Sequence, residues 1–183
     1  MFLMIKKHFS LHVFTWTVVF VGIMAAGAFL SACGSIESSY QKGLEAYRTG
    51  NYESAVTEFQ TAAEKGHPEA LYKLALCYYN GKGVGMDKDK AFDCLRQSAA
   101  KGNVKARFAV VSKDADDNII SRDDVLNQFR EMDAEMLELA EADDPEAQII
   151  YAMFCLMQGK RDEAKIWAEK SEVNGGKEML RIF

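Results

Sequence analysis

Proline is almost missing from this chain: 183 residues hold two, Pro68 and Pro145. Both stand where a new helix would begin, a place that tolerates proline because its missing donor would go unpaired there anyway. No helix interior is therefore broken by proline, and no stretch alternates apolar and polar residues as a half-buried strand would. Histidine is scarce too, with His67 the one copy after residue 32. Clustered lysine and arginine are absent as well. Lys and Arg total 22 against 27 Asp and Glu, a balance that argues against a grip on phosphate backbones and so against nucleic acid as a partner.

One long uncharged run is present, from Val13 to Leu30, preceded by Lys6, Lys7 and His8 and followed at once by Leu30-Ser31-Ala32-Cys33. A basic start, an apolar stretch and small residues at the end have the layout of a secretory signal over residues 1–32. The alternative is an uncleaved membrane-spanning helix, since eighteen residues reach the spanning length. Either way the globular part lies outside the cytoplasm. Leu-Ser-Ala-Cys also resembles the lipobox of bacterial lipoproteins. That resemblance implies that Cys33 becomes the acylated, palmitate-bearing first residue of the mature chain, and Gly34 after it favours the periplasmic face of the outer membrane. Removing residues 1–32 takes away two lysines and no acid, leaving a net charge of −7, to which a basic partner is the better complement. About 150 residues suffice for one domain. Residues 33–38 read as a short linker and 39–183 as the folded unit.

Residues 51 to 106 state one helix-loop-helix unit almost twice. Asn51, Ala55, Phe59, Ala63, Lys65, Gly66 and Ala70 recur as Asp87, Ala91, Leu95, Ala99, Lys101, Gly102 and Ala106, each 36 positions on. A fixed period of this length is the mark of stacked helix pairs, because one pair cannot bury its own apolar face. The unit returns at Pro145-Glu146-Ala147, which matches Pro68-Glu69-Ala70, and Ala164 to Gly175 repeats the spacing of Ala55 to Gly66. The apolar spacing predicts helices near 37–49, 52–65, 68–80, 88–101, 103–112, 122–142, 145–158, 161–173 and 176–182. The fold class is all-α, an α-solenoid of antiparallel helix pairs. Residues 113–121 break the period, and Ser121 with Asp124 is placed to cap the helix beyond.

Tyr78-Tyr79-Asn80-Gly81-Lys82-Gly83-Val84, with Asp87, Lys90-Ala91, Leu95 and Ala99-Ala100-Lys101-Gly102 downstream, resembles the Sel-one-like repeat (SLR), a relative of the tetratricopeptide repeat. The units before it and at 145–175 lean toward the tetratricopeptide form. The resemblance implies a right-handed superhelix whose first helices line a concave, partner-binding face. Carried over by register, that face holds Tyr40, Leu44 and Tyr47, then Glu69, Tyr72, Leu76 and Tyr79, then Phe108, and finally Ile149, Met153 and Leu156. The same apolar stripe would serve equally as core between helices. Tyr78 follows the packing register of Leu74 and Ala75 and reads as buried.

Catalytic chemistry finds little material. His67 falls in a turn and reads as a polar turn residue. No Ser, Cys or Lys has a base or oxyanion motif near it in sequence. Asp114-x-Asp116-x-Asn118 imitates the start of a calcium loop, but Ile119 stands where glycine is needed and Val125 where a bidentate Glu belongs, so it reads as a solvated acidic turn. No metal or cofactor is expected. Cys77 and Cys94 lie on neighbouring antiparallel helices and are either a disulfide pair or small buried residues. The expected function is a membrane-anchored periplasmic repeat protein that binds a protein or peptide, as scaffold, adaptor or toxin-immunity protein. The rival is an enzyme acting on cell-wall or β-lactam substrates, an activity proposed for cysteine-rich relatives of the resembled family.

Overall fold

The computed structural model describes residues 34–173. The signal segment, the acylation candidate Cys33 and the helix expected at 176–182 lie outside them. Eight helices and no strand occur among the described residues: α1 over 34–48, then α2 (Tyr52–Glu64), α3 (Pro68–Asn80), α4 (Lys88–Ala100), α5 (Val104–Asp116), α6 (Arg122–Glu141), α7 (Pro145–Met157) and α8 (Arg161–Val173). From α2 onward each helix packs on its neighbour in the chain, the hairpins α3–α4 and α7–α8 most extensively. Residues 34–38, within the stretch read as a linker, are helical.

Side-chain caps fix where the helices start. Asn51, His67, Asp87, Asn103, Ser121 and Asp144 each accept a hydrogen bond from a backbone N–H in the first turn of α2 to α7, contributions of about 1 kcal/mol apiece. At the turns between units the chain needs a left-handed residue. Gly66 and Gly102 supply it with φ of 88° and 90°, and Asp143 takes the equivalent place with φ 62°.

The period-breaking segment is shorter than the sequence suggests. α5 continues to Asp116, one turn past the expected end at residue 112, and Lys113 pairs with Asp117 across that turn. Asn118, at φ 56°, then reverses the chain. Asp114 and Asp116 thus belong to a helix and not to a loop. Ser121 Oγ accepts from Asp124 N at 3.2 Å, the expected cap. α6 runs 20 residues where the other helices from α2 onward run 13, and the surplus lies at its N-terminus, since Ala140 and Asp143 keep the register of Ala99 and Gly102 before the next cap.

Two apolar clusters hold the stack. Ala55, Val56, Phe59, Leu74 and Cys77 form the smaller one, joined by half-buried Tyr40, Leu44 and Tyr47. The larger is centred on Phe108, Phe129 and Phe154, whose ring centroids lie 5.1–5.6 Å apart. Ala70 and Ala91 are fully buried, whereas Ala63 and Ala99 are half-buried. Tyr78 is half-buried rather than buried, with Lys90 Nζ 5.8 Å from its ring centroid. No disulfide joins Cys77 to Cys94; the two pack in the same apolar cluster.

Candidate functional site

The first helices of the units carry a charged residue at their second position: Glu69 in α3, Lys105 in α5 and Glu146 in α7. Stacking brings the three together. Lys105 Nζ lies 2.8 Å from Asp144 Oδ2 and 3.4 Å from both Glu69 Oε2 and Glu146 Oε2, with its side chain 4% exposed. Glu146 Oε1 also meets Lys73 Nζ at 2.8 Å, and Asn103 Nδ2 donates to Glu69 Oε1 at 2.7 Å. Asp144 does two jobs, accepting from Glu146 N and Ala147 N through Oδ1 while Oδ2 takes the lysine.

Burial alone would lower the Lys105 ammonium, but Glu146, Glu69 and Asp144 more than offset it and hold it charged above the usual lysine range. Burial pushes the Asp144 carboxyl up, and Lys105 together with the Ala147 N–H brings it below the ordinary value. Beneath the network Tyr72 is fully buried, with the ammonium groups of Lys105 and Lys73 5.1 Å and 5.7 Å from its ring centroid. Desolvation keeps its phenol neutral far into the alkaline range.

This network closes one end of the expected groove and corrects its residue assignment. Tyr72, Phe108 and Ile149 share one register and are 0%, 1% and 5% exposed. They pack between successive first helices instead of facing a partner, because the ion pairs above them draw α3, α5 and α7 together. Glu69 belongs to the network. Tyr40 stacks on His67 at 4.5 Å, and with Leu44 and Tyr47 it packs into the small cluster between the first two units. Leu76 is half-buried against the large cluster, and Leu156 is 57% exposed at the end of α7.

One turn or more further along the helices the stack opens. Tyr79 and Met153, both expected groove residues, meet in a cavity of about 310 Å³ with Phe92, Ser112, Lys88 and Lys113. Tyr79 and Phe92 meet edge to face at 6.3 Å. Lys88 Nζ sits 5.2 Å from the Tyr79 centroid and Lys113 Nζ 5.7 Å from that of Phe92. An apolar floor with ammonium groups at its margin suits a partner side chain that is apolar or aromatic and flanked by polar groups. Phe92 and Lys88 stand on a second helix, outside the first-helix register that gives the expected groove, and Lys105 and Glu146 lie outside it too, although the 36- and 41-residue intervals align them with Glu69.

His67 caps α3 by accepting from Ala70 N through Nδ1 at 3.2 Å, which leaves Nε2 to donate to Glu37 Oε2 at 3.2 Å. Both ring nitrogens are committed. Burial pushes the thiols of Cys94 and Cys155 up, away from the nucleophilic thiolate. No cluster of three or more potential metal ligands occurs among the described residues.

Stacked helix pairs, with a closed inner edge and an open cleft, define a helical-repeat protein of the kind that works through protein–protein contact. Residues 68–103 match the Sel1 repeat, so the chain carries one such repeat within its stack of helix pairs. It is 38% identical over 63 residues to an exopolysaccharide production negative regulator of Rhizobium leguminosarum bv. viciae, a match covering 34% of this chain and 24% of that protein. It is 41% identical over 49 residues to a DAP3-binding cell death enhancer of Rattus norvegicus, covering 27% and 10% respectively. The crystal structure of a Sel1 repeat protein from Oxalobacter formigenes aligns with a TM-score of 0.48 at 19% identity, over 76% of this chain and 58% of that one. The chain thus spans a quarter or less of the length of these two sequence relatives. Protein–protein interaction is the role such a scaffold carries.

Proposed function

We propose that this protein is a lipid-anchored envelope protein that binds a protein or peptide partner in the cleft between Tyr79 and Met153. The observation that carries the reading is the cleft itself: the chain fills the equivalent space at Tyr72, Phe108 and Ile149 with its own side chains but leaves about 310 Å³ open at Tyr79, Phe92 and Met153. Leu30-Ser31-Ala32-Cys33 supports an anchor at Cys33 facing the periplasm, and the excess of acid over the whole chain supports a partner of net positive charge, whose docking group between Lys88 and Lys113 is apolar or aromatic. Neutralising a secreted toxin and scaffolding an envelope assembly are the two narrower forms. The rival reading, an enzyme acting on cell-wall or β-lactam substrates, draws no support from His67, whose ring nitrogens are committed, or from the buried Cys155 thiol.

A photo-crosslinking residue placed at Met153 in cells, beside a control at Gln60 on the exposed face of α2, tests the cleft. A discrete adduct from position 153 alone is expected. Equal labelling from both positions, or none from 153, sinks the reading.

A further inference from the structure

The fourth unit lacks a part that the second unit has. In the second unit the seven residues between α3 and α4 fold back over the preceding hairpin. A Cβ on Gly83 would stand 2.2 Å from Tyr52 O, Val84 packs into the small cluster, and Lys82 Nζ donates to Tyr47 Oη at 3.1 Å while sitting 5.1 Å from the Tyr47 and Tyr52 ring centroids. That loop plugs the seam at the start of α2. Between α7 and α8 only Gln158, Gly159 and Lys160 intervene, too few to cover the corresponding seam at the start of the regular part of α6.

At that place lies a second cavity, of about 360 Å³, with Phe129 and Phe154 at its floor, Leu126 and Met157 on its walls and Arg130, Asp133 and Gln158 at its rim. Leu126 and Met157 are 38% and 49% exposed. Leu126 belongs to the two surplus turns of α6, which stand as an added wall. Among the described residues, five of the six exposed large apolar side chains, Met86, Ile119, Leu126, Leu156 and Met157, sit at this turn edge of the stack. α6 carries seven acidic residues against two arginines, and Asp133 Oδ1 accepts from Gln158 Nε2 at 3.4 Å.

We infer that the α6–α7 seam is a docking site for a tight loop of a partner protein that presents an aliphatic side chain beside a lysine or arginine. The chain's own Lys82–Val84 loop shows what such a seam accepts: a branched aliphatic group in the apolar floor and an ammonium over rings at the rim. At the open seam Phe129 and Phe154 supply the floor, and Asp133 with the acidic face of α6 supplies the counter-charge. The site is separate from the cleft at Tyr79.

The test uses the intact chain and a cyclised peptide with the sequence of residues 80–87, Asn-Gly-Lys-Gly-Val-Gly-Met-Asp. Methyl-detected NMR titration to millimolar peptide is expected to move the Leu126 and Met157 methyl signals and leave Leu71 unmoved. A peptide with Asp in place of Val84, and one with Glu in place of Lys82, should each bind at least tenfold more weakly. Because these controls change the peptide, the protein's fold is untouched. No movement at Leu126 and Met157, or equal movement with either altered peptide, overturns the proposal.

Discussion

Lys73 Nζ lies 2.8 Å from Glu146 Oε1, joining α3 to α7 across 73 residues and past an intervening hairpin. A pair this distant in sequence sets how tightly the superhelix curls, since it holds the first helices of alternate units at one separation. Lys105 fills the space between them with a third set of contacts. The inner edge is therefore locked by charge, and the outer turn edge, where both cavities open, is not.

Removing the central cation exposes what the network is worth. Lys105→Met keeps the aliphatic stem but leaves Asp144, Glu146 and Glu69 facing one another in a site where the lysine is 4% exposed. Breaking a buried pair by removing one partner costs about 3–5 kcal/mol, which for a domain of this size lowers the melting temperature by about 10 °C. Thermal unfolding followed by circular dichroism measures it. A melting curve like that of the wild type would mean that the network is ornamental and the helices hold their spacing by packing alone.

The same groups give stability a dependence on pH at both extremes. Asp144 is held below its ordinary 3.8 by Lys105 and the Ala147 N–H, against burial. Its contribution is thus present above that value and is lost as pH falls through the lower folded value. Lys105 is held above its ordinary 10.5, so its contribution is present below 10.5 and is lost as pH rises through the higher folded value. The melting temperature is expected to be level between roughly pH 5 and 10 as far as these groups govern it. Asp144→Asn should lower the plateau and flatten the acid limb. An acid limb of unchanged steepness in that variant would assign it to other carboxylates.

Glycine substitutions in the 81–87 loop separate contact from mere looseness. Gly83 has φ 70° and an added Cβ would stand 2.2 Å from the Tyr52 carbonyl oxygen. Backbone cannot yield as a side-chain tip can, so Gly83→Ala is expected to cost more than about 2 kcal/mol. Gly85 has no atom within 4 Å of its Cβ position, and Gly85→Ala should stay within about 0.5 kcal/mol of wild type. Urea unfolding of the two variants supplies the comparison. Equal midpoints would show that the loop does not press on α2.

The helical pairing was legible because the 36-residue repeat aligns small residues, caps and turn glycines at once, and Ala70, Ala91, Asn51, Asp87 and Gly102 occupy the places that alignment gives them. The inner network was half legible. Glu69, Lys105 and Glu146 alternate in sign at one repeat position, but a single-helix reading makes each a solvated first-turn charge. The expected groove includes Tyr79 and Met153, which line the cleft, but extends too far inward to Tyr72, Phe108 and Ile149, because register tells which stripe faces inward and not how closely the facing helices approach. That distance is set by ion pairs between units. α5 outran its expected end because Lys-Asp-Ala-Asp reads as a loop by polarity, whereas the Lys113–Asp117 pair and an exposed outer face suit a helix.

Tyr72 and Tyr79 stand two turns apart on α3, and the structure gives them opposite duties. Tyr72 is fully buried, with both lysines of the network facing its ring. Truncating a buried aromatic side chain to alanine costs about 3–5 kcal/mol, so Tyr72→Ala should unfold the chain or lower its melting temperature by about 10 °C. Tyr79 is half-buried at the cleft, where it meets Phe92 at 6.3 Å and Lys88 at 5.2 Å. Losing those contacts should cost about 1 kcal/mol. Its removal takes away a wall of the cleft, so Tyr79→Ala is expected to keep the fold while cutting the adduct formed from a photo-crosslinker at Met153 at least tenfold. Circular dichroism on purified protein and adduct yield in cells, read on the same two variants, separate core from surface. If Tyr79→Ala leaves the adduct intact in a folded protein, the partner does not lie against the aromatic wall, and the cleft between Tyr79 and Met153 is not where this protein holds it.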